Sequence, residues 1–179
     1  MRQDALQQDK STTAAADADA VDAIIEQWRT ERPDLDPSAK EVTGRIIRLA
    51  SLFQARYDQA FRDLGLNEAD YGVLAPLRRA GAPFELTPTE LARHRMITSG
   101  GMTAAIDRLG RQGFVARVPN PGDRRGSLVR LTPRGLEAVD VAMERHARIE
   151  HELIASLDAG DRAQLRALLH SLLVEVDDT

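Results

Sequence analysis

Pro119-Asn120-Pro121-Gly122-Asp123-Arg124-Arg125-Gly126-Ser127-Leu128-Val129-Arg130-Leu131-Thr132 is the stretch on which the reading of this 179-residue chain turns. Before it, Phe114-Val115-Ala116-Arg117-Val118 alternates apolar and polar residues as a half-buried strand does. Within it, Leu128-Val129-Arg130-Leu131 makes a second short strand. Pro121-Gly122 and Gly126 supply turn residues between the two. The spacing predicts a β-hairpin whose loop carries Asp123-Arg124-Arg125-Gly126, placed directly after a helical segment. A finger tipped with arginine is suited to an anionic partner.

Charge supports that partner locally. The whole chain carries a net −4, which argues against generic nucleic-acid binding. From Thr87 to Thr132, however, eight arginines face three acids (Glu90, Asp107 and Asp123), a local +5 that leaves −9 elsewhere. There is no cysteine, which removes disulfides, thiolate nucleophiles and cysteine-based zinc sites together. The four histidines show no metal-ligand spacing, although His146 and Glu150 are placed to pair one helical turn apart. No metal and no cofactor is expected. There is no Ser-His-Asp signature and no glycine-rich phosphate loop, so an enzyme is not expected either. No window approaches the roughly 18 apolar residues of a membrane span. The first ten residues lack an apolar signal core, and a cytoplasmic protein is expected.

Working outward, residues 1–16 read as a disordered tail and 17–179 as one domain: N-terminal helices over 17–64, a helix-turn-helix with its hairpin over 66–134, and closing helices over 135–179. The first helix, Asp17 to Thr30, ends before Pro33. A long second helix, Ser38 to Leu64, presents Val42, Ile46, Leu49, Phe53, Tyr57 and Phe61, with Gly65 as its cap. Asn67 then caps a shorter helix with Tyr71, Leu74 and Leu77 inward and Pro76 inside it, where proline should kink the helix. Thr87-Pro88-Thr89-Glu90 has the form of a capping box. Its short helix stops near His94, and a second runs from Thr98 or Ser99 to about Gln112 with Met102, Ile106 and Leu109 inward. Two short helices around a tight turn fit a helix-turn-helix. Thr132-Pro133 starts a further helix. The last, Ala159 to Val176, carries a wide stripe of Leu165, Leu168, Leu169, Leu172, Leu173 and Val176, which predicts a partner subunit.

Helix, turn, helix and hairpin in that order make a winged helix. Thr87-Pro-Thr-Glu-Leu-Ala92, Thr98-Ser-Gly-Gly-Met-Thr103, Ile106-Asp-Arg-Leu109, Asp123-Arg-Arg-Gly126 and Val129-Arg-Leu-Thr-Pro-Arg-Gly135 resemble the multiple-antibiotic-resistance regulator (MarR) family. The resemblance covers roughly residues 40–176. It implies a mainly α fold with a small β-wing, a homodimer held by N- and C-terminal helices, and binding to a pseudo-palindromic double-stranded operator. On this reading the helix through Ser99, Gly100, Thr103 and Arg108 enters the major groove. Ser99 and Thr103 bond bases or phosphates there, and Gly100 allows close backbone approach. The wing lies over the minor groove, where Arg125 inserts, Asp123 positions it through an ion pair, and Arg124 and Arg117 contact phosphates. The family often has a polar residue and an arginine where this chain has Ala104-Ala105, so the operator cannot be transferred from relatives.

The first helix is similar to that of the urate- and phenol-responsive branch, in which a tryptophan, an aspartate and an arginine surround the effector. Trp28 and Arg79 match that set, and Gly72 stands where the aspartate is expected. With Pro76 one turn on, the pocket is read as retained but reshaped: urate is disfavoured, and a small aromatic acid, phenolic, benzoic or indole, sets its ring on Trp28 and its carboxylate on Arg79. The expected function is a repressor released by that anion. The alternative is a ligand-independent or architectural DNA-binding protein.

Overall fold

The computed structural model describes residues 18–93 and 102–177. Its contacts divide the chain into two compact units, Met1–Phe53 and Gln54–Thr179.

The first unit holds α1 (Ala20–Glu31) and most of α2 (Lys40–Phe61). Asp19 starts α1 by accepting hydrogen bonds from the amides of Val21 and Asp22, and the Asp22 carboxylate accepts one from the Asp19 amide. Arg45 of α2 then bonds Asp19 at 2.8 Å and Asp22 at 2.7 Å, which binds the start of α1 to α2. The helices touch where α2 carries glycine: a Cβ on Gly44 would lie 2.9 Å from Val21 Cγ1. Val21 and Ile25 are buried, whereas Ile24, Trp28, Ile47 and Leu49 stay exposed.

The second unit continues through α3 (Glu68–Arg79), β1 (Glu85–Leu86), α4 (Pro88–Arg93), α5 (Met102–Arg111), β2 (Val115–Asn120), β3 (Asp123–Leu131), α6 (Pro133–Leu153) and α7 (Ala159–Asp177). α4 opens on the expected box, with the Glu90 amide donating to Thr87 Oγ1 at 3.1 Å and the Thr87 amide to Glu90 at 2.8 Å. Leu74 and Leu77 of α3, Leu91 of α4, Leu109 of α5, Val129 of β3 and Val139 of α6 are fully buried and form one core. Burying each such side chain contributes roughly 1.5–3 kcal/mol. Pro76 stands inside α3 and the helix continues through it, although proline has no N–H to offer the Gly72 carbonyl four residues back.

The sheet has three antiparallel strands in the order β1-β3-β2. β1 was not foreseen from sequence. It is two residues long, pairs Glu85 with Arg130 and Leu86 with Val129, and is pinned by a 2.5 Å Arg130–Glu85 ion pair. At the base of the hairpin, Thr132 caps α6 by accepting from the Gly135 amide, and its hydroxyl donates to the Gly113 carbonyl at 2.7 Å. The first turn of α6 is pressed against the chain entering β2, since a Cβ on Gly135 would sit 1.9 Å from the Phe114 carbonyl oxygen. α7 buries no side chain: Leu168, Leu173 and Val176 are each about 60% exposed. Among the described residues no helix is long and apolar enough to cross a membrane.

Only glycine fits at 135. Gly135→Ala is expected to lose about 3 kcal/mol by forcing backbone apart, read as a lowered urea midpoint. Gly110→Ala meets nothing within 4 Å and is expected to gain up to about 1 kcal/mol by helix propensity.

Candidate nucleic-acid interface

The hairpin departs from the expected loop. The turn is Pro121-Gly122 alone, and Asp123-Arg124-Arg125-Gly126 lies on β3. The ladder is broken beside it: Pro119 pairs with Ser127, but the next residue, Asn120, pairs with Asp123. Arg124, Arg125 and Gly126 therefore have no partner on β2 and form a bulge, which in an edge ribbon turns residues away from the sheet. Sequence alternation could not show this, because the bulge shifts register without changing composition. A Cβ on Gly126 would meet Asp123 Oδ2 at 2.9 Å, so a larger residue there has to turn the Asp123 side chain aside. The backbone of Arg124 and Arg125 is described and their side chains are not, so the expected Asp123–Arg125 ion pair lies outside the described structure.

α5 has two faces. Ala105, Ile106 and Leu109 enter the core, while Thr103, Ala104, Asp107, Gly110 and Arg111 are exposed. Of the two alanines noted in sequence, only Ala104 faces outward. Ser99 and Gly100, expected to open this helix, fall outside the described residues. Thr103 lies on the outer face as expected.

Two of the expected DNA contacts are engaged within the protein. Arg108 donates from Nη2 to Asp70 Oδ1 at 2.5 Å and to Asn67 Oδ1 at 3.2 Å. Asp70 is fully buried, and its other oxygen accepts from the Asn67 amide at 3.0 Å. Burial pushes the Asp70 carboxyl above its ordinary pKa, against the downward pull of the Asn67 amide and Arg108. Arg108 thus ties α5 to the first turn of α3, and its half-buried guanidinium is engaged by the fold rather than left free for a groove. Sequence did hold a signal for this: Asp70, Leu74 and Leu77 share one helical face, so an acid there needs a buried partner. Arg117 of β2 bonds Asp107 Oδ1 at 3.0 Å with both side chains about half exposed, an exposed pair worth roughly 0–1 kcal/mol.

The residues expected around a ligand divide between the two units. In Met1–Phe53, Trp28 is 42% exposed, with Lys40 Nζ 6.0 Å from its ring centre. In the second unit, Pro76 is buried, Gly72 is half-buried, and Arg79 is exposed and makes no ion pair with any described residue. The buried acid of this helix is Asp70, two residues before Gly72, and it is already paired with an arginine. Next to it in sequence, Tyr71 stacks on His146 of α6 at 4.6 Å, and the opposite face of that imidazole stacks on Tyr57 of α2 at 4.2 Å. The expected His146–Glu150 contact is present at 3.3 Å. Burial, with the charge of Glu150 second, raises the pKa of both tyrosines. The three-ring stack was not legible in sequence, since its members lie up to 89 positions apart.

A model of the MarR family matches residues 64–126. The chain is 34% identical to the HTH-type transcriptional regulator PecS of Dickeya dadantii over 83% of its own length and 90% of the relative's. It is 33% identical to the multiple antibiotic resistance protein MarR of Escherichia coli, covering 73% and 90%. Among solved structures, a MarR variant from E. coli complexed with operator DNA matches with a TM-score of 0.64 at 30% identity, over 78% of this chain and 99% of that one. A regulator of the same family from Streptomyces coelicolor in complex with DNA gives 0.68 at 26%, over 78% and 88%. These relatives are transcription regulators and not enzymes.

Arg108→Ala is expected to cost about 3 kcal/mol at pH 7, because it leaves the buried Asp70 carboxylate uncompensated. A carboxyl that holds its proton more tightly in the native than in the unfolded state stabilises the fold as pH falls through its native pKa. Losing Arg108 raises that pKa further. The deficit measured by urea unfolding should therefore shrink on acidification towards the ordinary carboxylate range, and the Asp70→Asn/Arg108→Ala double variant should recover most of it at pH 7.

Proposed function

The chain belongs to the MarR family of DNA-binding transcriptional regulators, and on that premise we propose that it is a homodimeric repressor released from a pseudo-palindromic operator by a small aromatic anion. The observation that carries the DNA-binding part is the unpaired Arg124-Arg125-Gly126 bulge at the end of a long ribbon, beside a helix whose outer face is free of core contacts. Arg125 enters the minor groove, where a narrow A·T-rich segment attracts arginine. Arg124 contacts the backbone. Arg117 does so with guanidinium donors other than the Nη2 that holds Asp107. Thr103, with Ser99 and Gly100, meets the major groove. Arg108 acts indirectly, holding α5 against α3.

The apolar stripe of α7, uncovered in the single chain, supports a second subunit as its cover. For the effector, the support is an exposed tryptophan and an unpaired arginine, Trp28 and Arg79, with Gly72 and Pro76 along the same helix as Arg79. Trp28 offers a face for an aromatic ring and Arg79 a guanidinium for a carboxylate. Urate is disfavoured, because Gly72 stands where the acid is expected and the nearby Asp70 is buried and bonded to Arg108; it enters the test as the comparison. Release follows if the anion binds better to a conformation whose wings no longer match successive grooves.

Arg125→Ala should weaken binding to operator-containing DNA at least tenfold in gel-shift titration while sedimentation still reports a dimer. Unchanged affinity would remove the wing from the interface. For the effector, benzoic, phenolic and indole acids and urate are added during thermal melts of wild type and Trp28→Ala. A ligand present at a hundred times its Kd stabilises by about 2.7 kcal/mol, so a raised Tm in wild type that is lost in Trp28→Ala is expected. No shift with any of them favours the ligand-independent regulator.

A further inference from the structure

We propose that Asp107 reads the operator sequence, its carboxylate accepting a hydrogen bond from an exocyclic base amine in the major groove, cytosine N4 first, while Arg117 positions it. The inference rests on the DNA-binding reading above and adds a residue to it. Thr103, Asp107 and Arg111 are spaced by four on α5, so they form one stripe, and all three are exposed. The opposite stripe is locked in the core by Ile106 and Leu109. The exposed stripe is therefore the one a duplex meets.

An acid on that stripe opposes binding, since phosphates line both sides of the groove. Its contact with Arg117 does not account for it, as an exposed pair contributes too little. The details of that contact suggest another use. Arg117 takes Oδ1 at 3.0 Å, and no described residue bonds Oδ2. One oxygen fixes the rotamer and offsets the charge, and the other remains an acceptor. In the major groove a carboxylate pairs with the amine of cytosine, and such a contact discriminates against other bases. Ala104, exposed beside Thr103 on the same outer face, brings no competing polar group.

The test is selection of bound duplexes from a random pool by full-length wild type, Asp107→Ala, Asp107→Asn and Arg117→Ala, followed by titration of the selected and scrambled duplexes. Wild type is expected to enrich a site with C·G fixed at one position of each half. Asp107→Ala should enrich the same site with that position relaxed, losing about ten- to hundredfold preference there while binding scrambled duplex as well or better. Asp107→Asn should shift the preference towards adenine, the partner of a carboxamide. Arg117→Ala should weaken selected and scrambled duplexes and, by releasing Asp107, also lower the preference for C·G at that position; a preference kept at full strength would remove the positioning role. If Asp107→Ala and Asp107→Asn both select the wild-type sequence with the same strictness, the acid does not read bases and the proposal fails alone. If wild type enriches no duplex, the DNA-binding reading fails and takes the proposal with it.

Discussion

A buried carboxylate bonded to a single guanidinium governs the geometry of the DNA-binding unit. Leu109 and Ile106 hold α5 in the core, but apolar contacts are non-directional and tolerate sliding. The Asp70–Arg108 bond does not tolerate it, because a displacement of about an ångström leaves an ion uncompensated in an apolar setting. The position of α5 is therefore referred to the first turn of α3. Tyr71, the next residue of α3, is stacked on His146 of α6. One turn of helix thus sets both α5 and the long helix behind it. Ion pairs between Arg78 and Asp140 and between Arg145 and Asp63 fasten α6 again to the same side.

Charge counting along the chain overstated what is presented to a polyanion. Of the eight arginines between Thr87 and Thr132, Arg108, Arg117 and Arg130 are each bonded to an acid within the fold. Two of those acids, Asp70 and Glu85, lie outside the basic segment. The net +5 of that stretch is therefore part scaffold and part interface. The other five are Arg93 and Arg111, both exposed, Arg95, which lies outside the described residues, and Arg124 and Arg125, brought to the bulge by their backbone. A modest number of well-placed cations is what a selective binder needs, since non-specific affinity grows with each phosphate neutralised.

The helical scaffold was legible because its signals are local. Thr87-Pro88 and Thr132-Pro133 start helices where expected, and the leucines of α3 and α5 are buried with helical period. The features that proved decisive for the interface are not local. β1 is too short to show alternation and exists because β3 offers it an edge. The bulge moves the arginine motif from a loop onto a strand by changing pairing alone. The role of Arg108 depends on an acid 38 positions away. Trp28, Gly72, Pro76 and Arg79 were chosen by resemblance, whereas the burial of Asp70 was foreshadowed by its place on the face of Leu74 and Leu77, with no local sign that Arg108 would be its partner.

Gly135 has a mechanical consequence. With room for no more than a hydrogen atom between α6 and the Phe114 carbonyl, the foot of the ribbon and the first turn of α6 cannot close further, and the Thr132 hydroxyl bonded to the Gly113 carbonyl holds them together. A 21-residue helix is about 30 Å long. A tilt of about 5° at its far end therefore swings the near end, and the hairpin attached to it, by roughly 2.6 Å. On the proposed reading of the wing, that distance exceeds the tolerance of a groove contact. The glycine makes α6 the arm of a lever that carries the hairpin at its near end.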